Sequence, residues 1–454
     1  MNPPRKLPPL LLPCRVALLV LLMCAPGLLV PASDVFDRNT ESTKPPVYLT
    51  FEGNMNKIGP QMEYVRQVFG PLDPKSSHLY AFGTSGINLL TRSTAFLKAQ
   101  VEAAFDAAEK QDVPVMFHID PLYGWEAGTE SSPADAPATK YWNEPDMREW
   151  AEFPTGGILP TRIPRPWFNW GCWDSPAPAV PALGSPKFLD FVTKQMTEGL
   201  AQPIAARVAQ LESRGQGYLF AGINIGWETS MFRYHEDLKK LPVALLPVQV
   251  RGLRMQPWEA NAQLGYASLY WRGWDQKKLD TEAARRNISS HALFNELIYH
   301  VLHDYNETLT KTLVDQGVSR DKIYTHIVAM STVNPARTSS TCPPIWVAVN
   351  RYSVPGFTMD ARGAAVYNLS ALRQQIRGAD PTQEHFAAIE SYLAHDRQDK
   401  QLRDTLQEIY GNGGVMKVLF GVFGKGTPFE LRPSPDPATL VIADWLKAGL
   451  PPGN

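Results

Sequence analysis

Short β-rich runs alternating with helical stretches predict an α/β fold of the (β/α)8 type, a TIM barrel with long insertions after strands 3 and 4. Three observations carry this expectation. Eight such runs can be counted between residues 47 and 424. Most are continuously apolar rather than alternating, as suits strands of a parallel sheet covered on both faces. No glycine-rich phosphate loop follows the first run, which weighs against an open doubly wound sheet.

In chain order the runs begin with "VYLTFE" (47–52), "HLYAFG" (78–83), "PVMFHID" (114–120) and "YLFAGINIGWE" (218–228). "KIYTHIVAM" (322–330), "PGFTMD" (355–360), "HFAAIESY" (385–392) and "MKVLFGVFG" (416–424) complete the set. Between them, "STAFLKAQVEAAFDAAEKQ" (93–111) repeats apolar residues at intervals of three and four, the helical period. The same spacing recurs over 185–215 and over 291–317, the latter closed by Gly317 as a C-cap.

Two connections are too long to be simple loops, and both follow a strand. The first, about 121–184, holds eleven prolines and six of the twelve tryptophans: Trp125, Trp142, Trp150, Trp167, Trp170 and Trp173. The second, about 229–290, adds Trp258, Trp271, Trp274, Tyr266 and Tyr270. In a barrel, segments that follow strands lie on the face where active sites form. The rings could stack on flat ligand faces there, sugars included, but for most of them a small core inside the insertions is the better expectation.

Composition narrows the function classes. The 454 residues carry 44 Lys plus Arg against 45 Asp plus Glu with no long run of either sign, so no nucleic-acid footprint is present. Arg5, Lys6 and Arg15 precede the apolar "VALLVLLMCAPGLLV", which Pro26 and Gly27 interrupt, the pattern of a secretory signal cleaved after Ala32. The expected organisation is a signal over 1–32, a polar lead over 33–46 and a barrel over 47–454. The mature chain is expected to be secreted, or periplasmic in a Gram-negative host, with no stable membrane insertion.

Cys14 and Cys24 leave with the signal, and Cys172 and Cys342 remain as a pair that an oxidising compartment would allow to bond. Sequons at Asn287, Asn306 and Asn368 could be glycosylated in a eukaryotic host.

The chemistry lies in acids at strand ends: Glu52, Asp120, Glu228, Asp360 and Glu390. Glu228 closes the fourth run and Glu390 lies near the end of the seventh, so both project into one mouth from different sides. Two carboxyls so placed can cleave a glycosidic bond, one protonating the leaving oxygen while the other meets the cationic sugar carbon. The arrangement resembles the clan A glycoside hydrolases, retaining (β/α)8 enzymes whose acid/base glutamate ends strand four and whose nucleophilic glutamate ends strand seven. The resemblance rests on strand order and these two glutamates, and it identifies no single family. It implies Glu228 of "IGWE" as acid/base, Glu390 of "AIES" as nucleophile, a carbohydrate substrate and no cofactor.

One departure is Trp227, where most members carry an asparagine that contacts the sugar 2-hydroxyl. Asn224 is three positions away, which along a strand turns it to the other face.

His118, Asp120, Trp227, His326 and Tyr392 are further candidates for substrate contact, each also readable as a hydrogen-bonded interior group. A metal site at His118 and Asp120 is disfavoured, because the nine histidines form no ligand pattern. "YWNEPD" (141–146) contains an Asn-Glu-Pro triplet typical of the family's fourth strand, but the polar, proline-broken segment before it makes Glu144 a loop acid. The rival readings are an inactive carbohydrate-binding barrel and a metal-dependent hydrolase of the same fold. An inverting mechanism stays open until the carboxyl separation is known.

Overall fold

The structure, a computed structural model, describes residues 46–122, 144–150, 152–160, 167–169, 172–177, 181–231, 263–328, 342–359, 368–392, 399–420, 422–423 and 437–448. The expected signal and almost all of the lead lie outside the described residues, as do Asp360, Trp125, Trp142, Trp170 and Trp258.

All eight apolar runs form parallel strands of one sheet. They are β1 (Val47–Gly53), β2 (His78–Thr84), β3 (Val115–Asp120) and β4 (Phe220–Ile225), then β5 in two pieces (Ile323–Thr325 and Ile327–Val328), β6 (Gly356–Thr358), β7 (Phe386–Tyr392) and β8 (Gly414–Phe420). Each pairs with its sequence neighbours, and β1 pairs with β8. The first piece of β5 pairs with β4 and the second with β6, so the sheet closes on itself through a strand broken at His326. Among the described residues no helix is long and apolar enough to cross a membrane.

Side-chain alternation divides the core into two layers. Tyr48, Leu79, Met116, Tyr324, Ile389 and Met416 pack inside the barrel. Their neighbours along the strands, such as Leu49, Phe82 and Phe117, face the surrounding helices. Along β1 the inward positions are Tyr48, Thr50 and Glu52, and Thr50 Oγ1 reaches Met416 Sδ of the neighbouring β8 at 2.9 Å. This alternation delivers Glu52 to the mouth.

The helices start where the sequence supplies caps. Ser93, Ser185 and Ser289 each accept a backbone N–H of the first turn of α1 (Thr94–Gln111), α2 (Pro186–Met196) and α3 (Ser290–Asp315). Gly317, with φ 99°, ends α3: its N–H and that of Val318 return to Val314 and Leu313. The helical stretch expected over 185–215 is interrupted by a π-turn at Thr197–Ala201, just ahead of Pro203, which has no N–H to continue the α ladder.

Within the first insertion Trp150 is fully buried and packs with Ala182 and Ala267, beside Tyr270 and Trp271 of the second. These rings build a small core of their own.

Asn306 corrects one sequence expectation. It lies inside α3 with no exposure, its Nδ2 directed at the Val347 carbonyl at 3.4 Å, so the folded chain offers no room for a glycan there. Asn287 and Asn368 are exposed. The Cys172 side chain lies outside the described set, and with it the pairing with Cys342.

Candidate active site

β4 ends at Ile225, and the chain turns over Gly226 to place Glu228 at the mouth with left-handed backbone, φ 48°. Thr229 N–H donates to the His326 carbonyl at 2.8 Å, pinning this turn against the break in β5. The Glu228 carboxyl then faces β6, where Thr358 Oγ1 lies 2.7 Å from Oε1. Thr358 Oγ1 is also 2.8 Å from His326 Nε2, and the other ring nitrogen, Nδ1, is 3.3 Å from the Gly226 carbonyl. Glu228 and His326 are both buried.

Glu390 reaches the same place by a different device. In β7, Ala387 and Ile389 face the barrel interior, so strict alternation would turn Glu390 toward the helices. Between Ala388 and Ser391 the register with β8 slips, two residues of β7, Ile389 and Glu390, opposing the single Val418 of β8. Within this bulge Glu390 takes φ 55°. The buried carboxylate comes to 3.8 Å from His326 Nε2. One carboxyl oxygen of Glu228, one of Glu390 and one ring nitrogen of His326 lie within 4.8 Å of one another. With one nitrogen directed at Thr358 and the other at Gly226, the imidazole is engaged on both sides and held in one orientation between the two carboxyls.

A third carboxyl was visible in sequence only as a strand-end acid. Glu52, at the end of β1, lies 3.8 Å from His118 Nδ1, its side chain 8% exposed. Burial, with the Glu390 charge added, holds its carboxyl well above the ordinary range. Burial pushes His118 down to about 3 and His326 well below its usual range, so both rings are neutral at ordinary pH.

Trp227 stacks on His118 (centroids 4.6 Å apart, planes 22° apart) with its edge near Phe420. Its six-membered ring occupies the space that a side chain at Gly86 would need: a Cβ there would sit 2.2 Å from Cζ3. The ring is only partly buried, so one part of it remains open at the mouth.

The other candidates are placed as follows. Asp120 is buried, its Oδ1 accepting Leu122 N–H at 3.0 Å and its Oδ2 3.5 Å from Asn88 Nδ2. Asn224 is enclosed in the barrel and donates to the Gly226 carbonyl at 3.0 Å, so it is held away from any 2-hydroxyl at the mouth. Tyr392 ends β7, and its side chain lies outside the described set. Glu144 is exposed and paired with Lys187 at 2.8 Å, away from the mouth. Sequence reasoning missed Thr358, which had no signal beyond its place near the end of "PGFTMD".

No family model and no curated protein matches this chain. Among solved structures it is similar to the catalytic domain of a β-amylase from Paenibacillus polymyxa, with 11% identity over 90% of this chain and 100% of that one and a TM-score of 0.48. It is also similar to the PgaB glycoside hydrolase domain from Bordetella bronchiseptica (11% identity, 83% and 94% covered, TM-score 0.41). A third is endo-glycoceramidase II from Rhodococcus sp. (12% identity, 88% and 78% covered, TM-score 0.42). At this distance the likenesses carry no functional argument, and the barrel rests on the chain's own strand pairing.

Proposed function

We propose that the chain is a secreted glycoside hydrolase that cleaves O-glycosidic bonds by retaining double displacement. The observation that carries this reading is the pair of buried glutamates from β4 and β7, with carboxyl oxygens within 4.8 Å of each other. Retaining enzymes hold their carboxyls about 5 to 5.5 Å apart, whereas inverting ones leave about 6.5 to 9.5 Å for a water.

Glu228 gives its proton to the leaving oxygen as Glu390 attacks the anomeric carbon, forming a glycosyl ester. Water then attacks that carbon, giving a proton to Glu228 and releasing Glu390. Trp227 offers an apolar ring face beside the reacting sugar. The neutral histidines leave the developing positive charge of the sugar to be met by carboxylate alone. Export follows from the apolar N-terminal segment before Ala32.

The test is Glu390→Ala with aryl glycosides as substrates. Turnover is expected to fall by several orders of magnitude, and added azide is expected to restore it by a single displacement from the vacated side, with a glycosyl azide of inverted configuration as product. Undiminished turnover in that variant would refute the assignment. A chelator is expected to leave the wild-type rate unchanged, and its loss would favour the metal-dependent reading. Oligosaccharides that raise the melting temperature without being cleaved would instead favour a binding barrel.

A further inference from the structure

We propose that His326, acting through Thr358, is a positioning residue that keeps Glu228 in its proton-bearing form, an inference that rests on Glu228 being the acid/base. His326 Nδ1 lies 3.3 Å from the Gly226 carbonyl, and a carbonyl can only accept, so Nδ1 carries the hydrogen. The ring is wholly buried with His118 alongside, ring centroids 5.8 Å apart, and holds no second proton. Nε2 is therefore a bare acceptor.

Its partner at 2.8 Å is Thr358 Oγ1, which has a single hydrogen to give. Having given it to Nε2, the hydroxyl turns only lone pairs toward Glu228 Oε1 at 2.7 Å. That contact is a hydrogen bond when Glu228 is the donor. The satisfied chain thus runs from Glu228 Oε1–H to Thr358 Oγ1, and from Thr358 Oγ1–H to His326 Nε2.

An ionised Glu228 breaks this order. Thr358 must swing its hydrogen to the carboxylate and leave Nε2 without a donor, or the ring must change tautomer and set a lone pair against the Gly226 carbonyl. Either outcome leaves a buried polar atom unsatisfied. During turnover the Glu228 proton passes to the leaving oxygen and the Thr358 hydroxyl turns to the carboxylate. When water returns a proton to Glu228 the hydroxyl turns back, and no proton crosses His326.

Among the described residues, the other titratable groups near Glu228 do not reverse the bias. Glu390 of β7, 3.8 Å from the same Nε2, opposes a second negative charge. Glu52 of β1 and His118 of β3 face each other, and Asp120 is turned to Asn88 and Leu122.

The experiment is a carbon-13 NMR titration of the full chain with carboxyl-labelled glutamate, the Glu228 resonance being the one lost in Glu228→Gln. With His326→Phe, or His326→Leu as a second shape, Thr358 is released to donate to the carboxylate. The Glu228 midpoint is then expected to fall by about one pH unit. Thr358→Ser is expected to keep the wild-type midpoint. In a Thr358→Val background the His326 substitution is expected to have no effect.

Nitrogen-15 NMR of labelled histidine reads the wild type directly, where His326 is expected to carry its hydrogen on Nδ1 across the working pH range. An Nε2–H tautomer, an unmoved midpoint in the His326 variants, or the same shift without the Thr358 hydroxyl would each overturn the proposal. No substrate is needed, so this result stands apart from the azide test: an intact hydrogen chain in a protein that cleaves no glycoside would sink the enzymatic reading alone.

Discussion

Glu228 and Glu390 both hold positive φ, at 48° and 55°, where a side chain costs about 1 to 2 kcal/mol. The strain is what aims both carboxyls into the mouth, and at Glu390 it overrides the alternation of β7. Glu390→Gly removes that cost and also a charge facing Glu52, whereas Glu390→Ala removes the charge and keeps a Cβ. The glycine variant is therefore expected to be about 1 kcal/mol more stable than the alanine variant in urea unfolding. Equal stabilities would show that the left-handed conformation is not held in the folded chain. Both glutamates could be found in the sequence because each ends an apolar run. Their backbone conformation could not, since it arises from a bulge against β8 and a turn pinned to β5. Thr358 stayed hidden for a related reason: its partners come from two other strands, 32 and 130 residues away.

At the scale of elements, the eight strands were legible because burial on both faces leaves long apolar runs that few other structures need. Irregularities within them were not. Closure depends on β5 pairing with β4 through one piece and with β6 through the next, and on β6 coming very close. A Cβ at Gly356 would lie 1.9 Å from the Thr325 carbonyl oxygen, a backbone atom that cannot move aside cheaply. Gly356→Ala is thus expected to force β5 and β6 apart, at a cost of about 3 kcal/mol or more. The same shift would pull Thr358 away from His326. The measurement is paired, urea unfolding together with glycosidase activity. A variant as stable as wild type would mean that the strands are farther apart than described. The π-turn of the second long helix was equally hidden, although Pro203 offered a hint.

Across the whole molecule, buried polar groups couple the insertions and the mouth to the global fold. Glu149 of the first insertion accepts backbone N–H groups of Gly265, Ala267 and Ser268 in the second, each at 3.1 Å, so the two segments are held to each other by one carboxyl. Sequence showed only their aromatic content, and the partnership of Trp150 with Tyr270 and Trp271 needed the fold. At the mouth, His118 makes folding depend on pH. Its folded value is pushed down by burial to about 3, from an ordinary 6.5, so the unfolded chain takes up a proton that the folded chain refuses. The stabilisation this confers is complete above pH 6.5 and is lost as pH falls toward 3, at about 1.4 kcal/mol per pH unit. Glu52, raised by burial and by Glu390, acts with the opposite sign over a window above the ordinary glutamate value, so the raw pH profile mixes the two. His118→Phe isolates the first, because it keeps an aromatic ring against Trp227 and has nothing to titrate. Between pH 6.5 and 5 the wild type is expected to lose about 2 kcal/mol relative to this variant in urea unfolding. Parallel profiles would place the His118 proton in the folded state and undo the neutral-ring picture of the mouth.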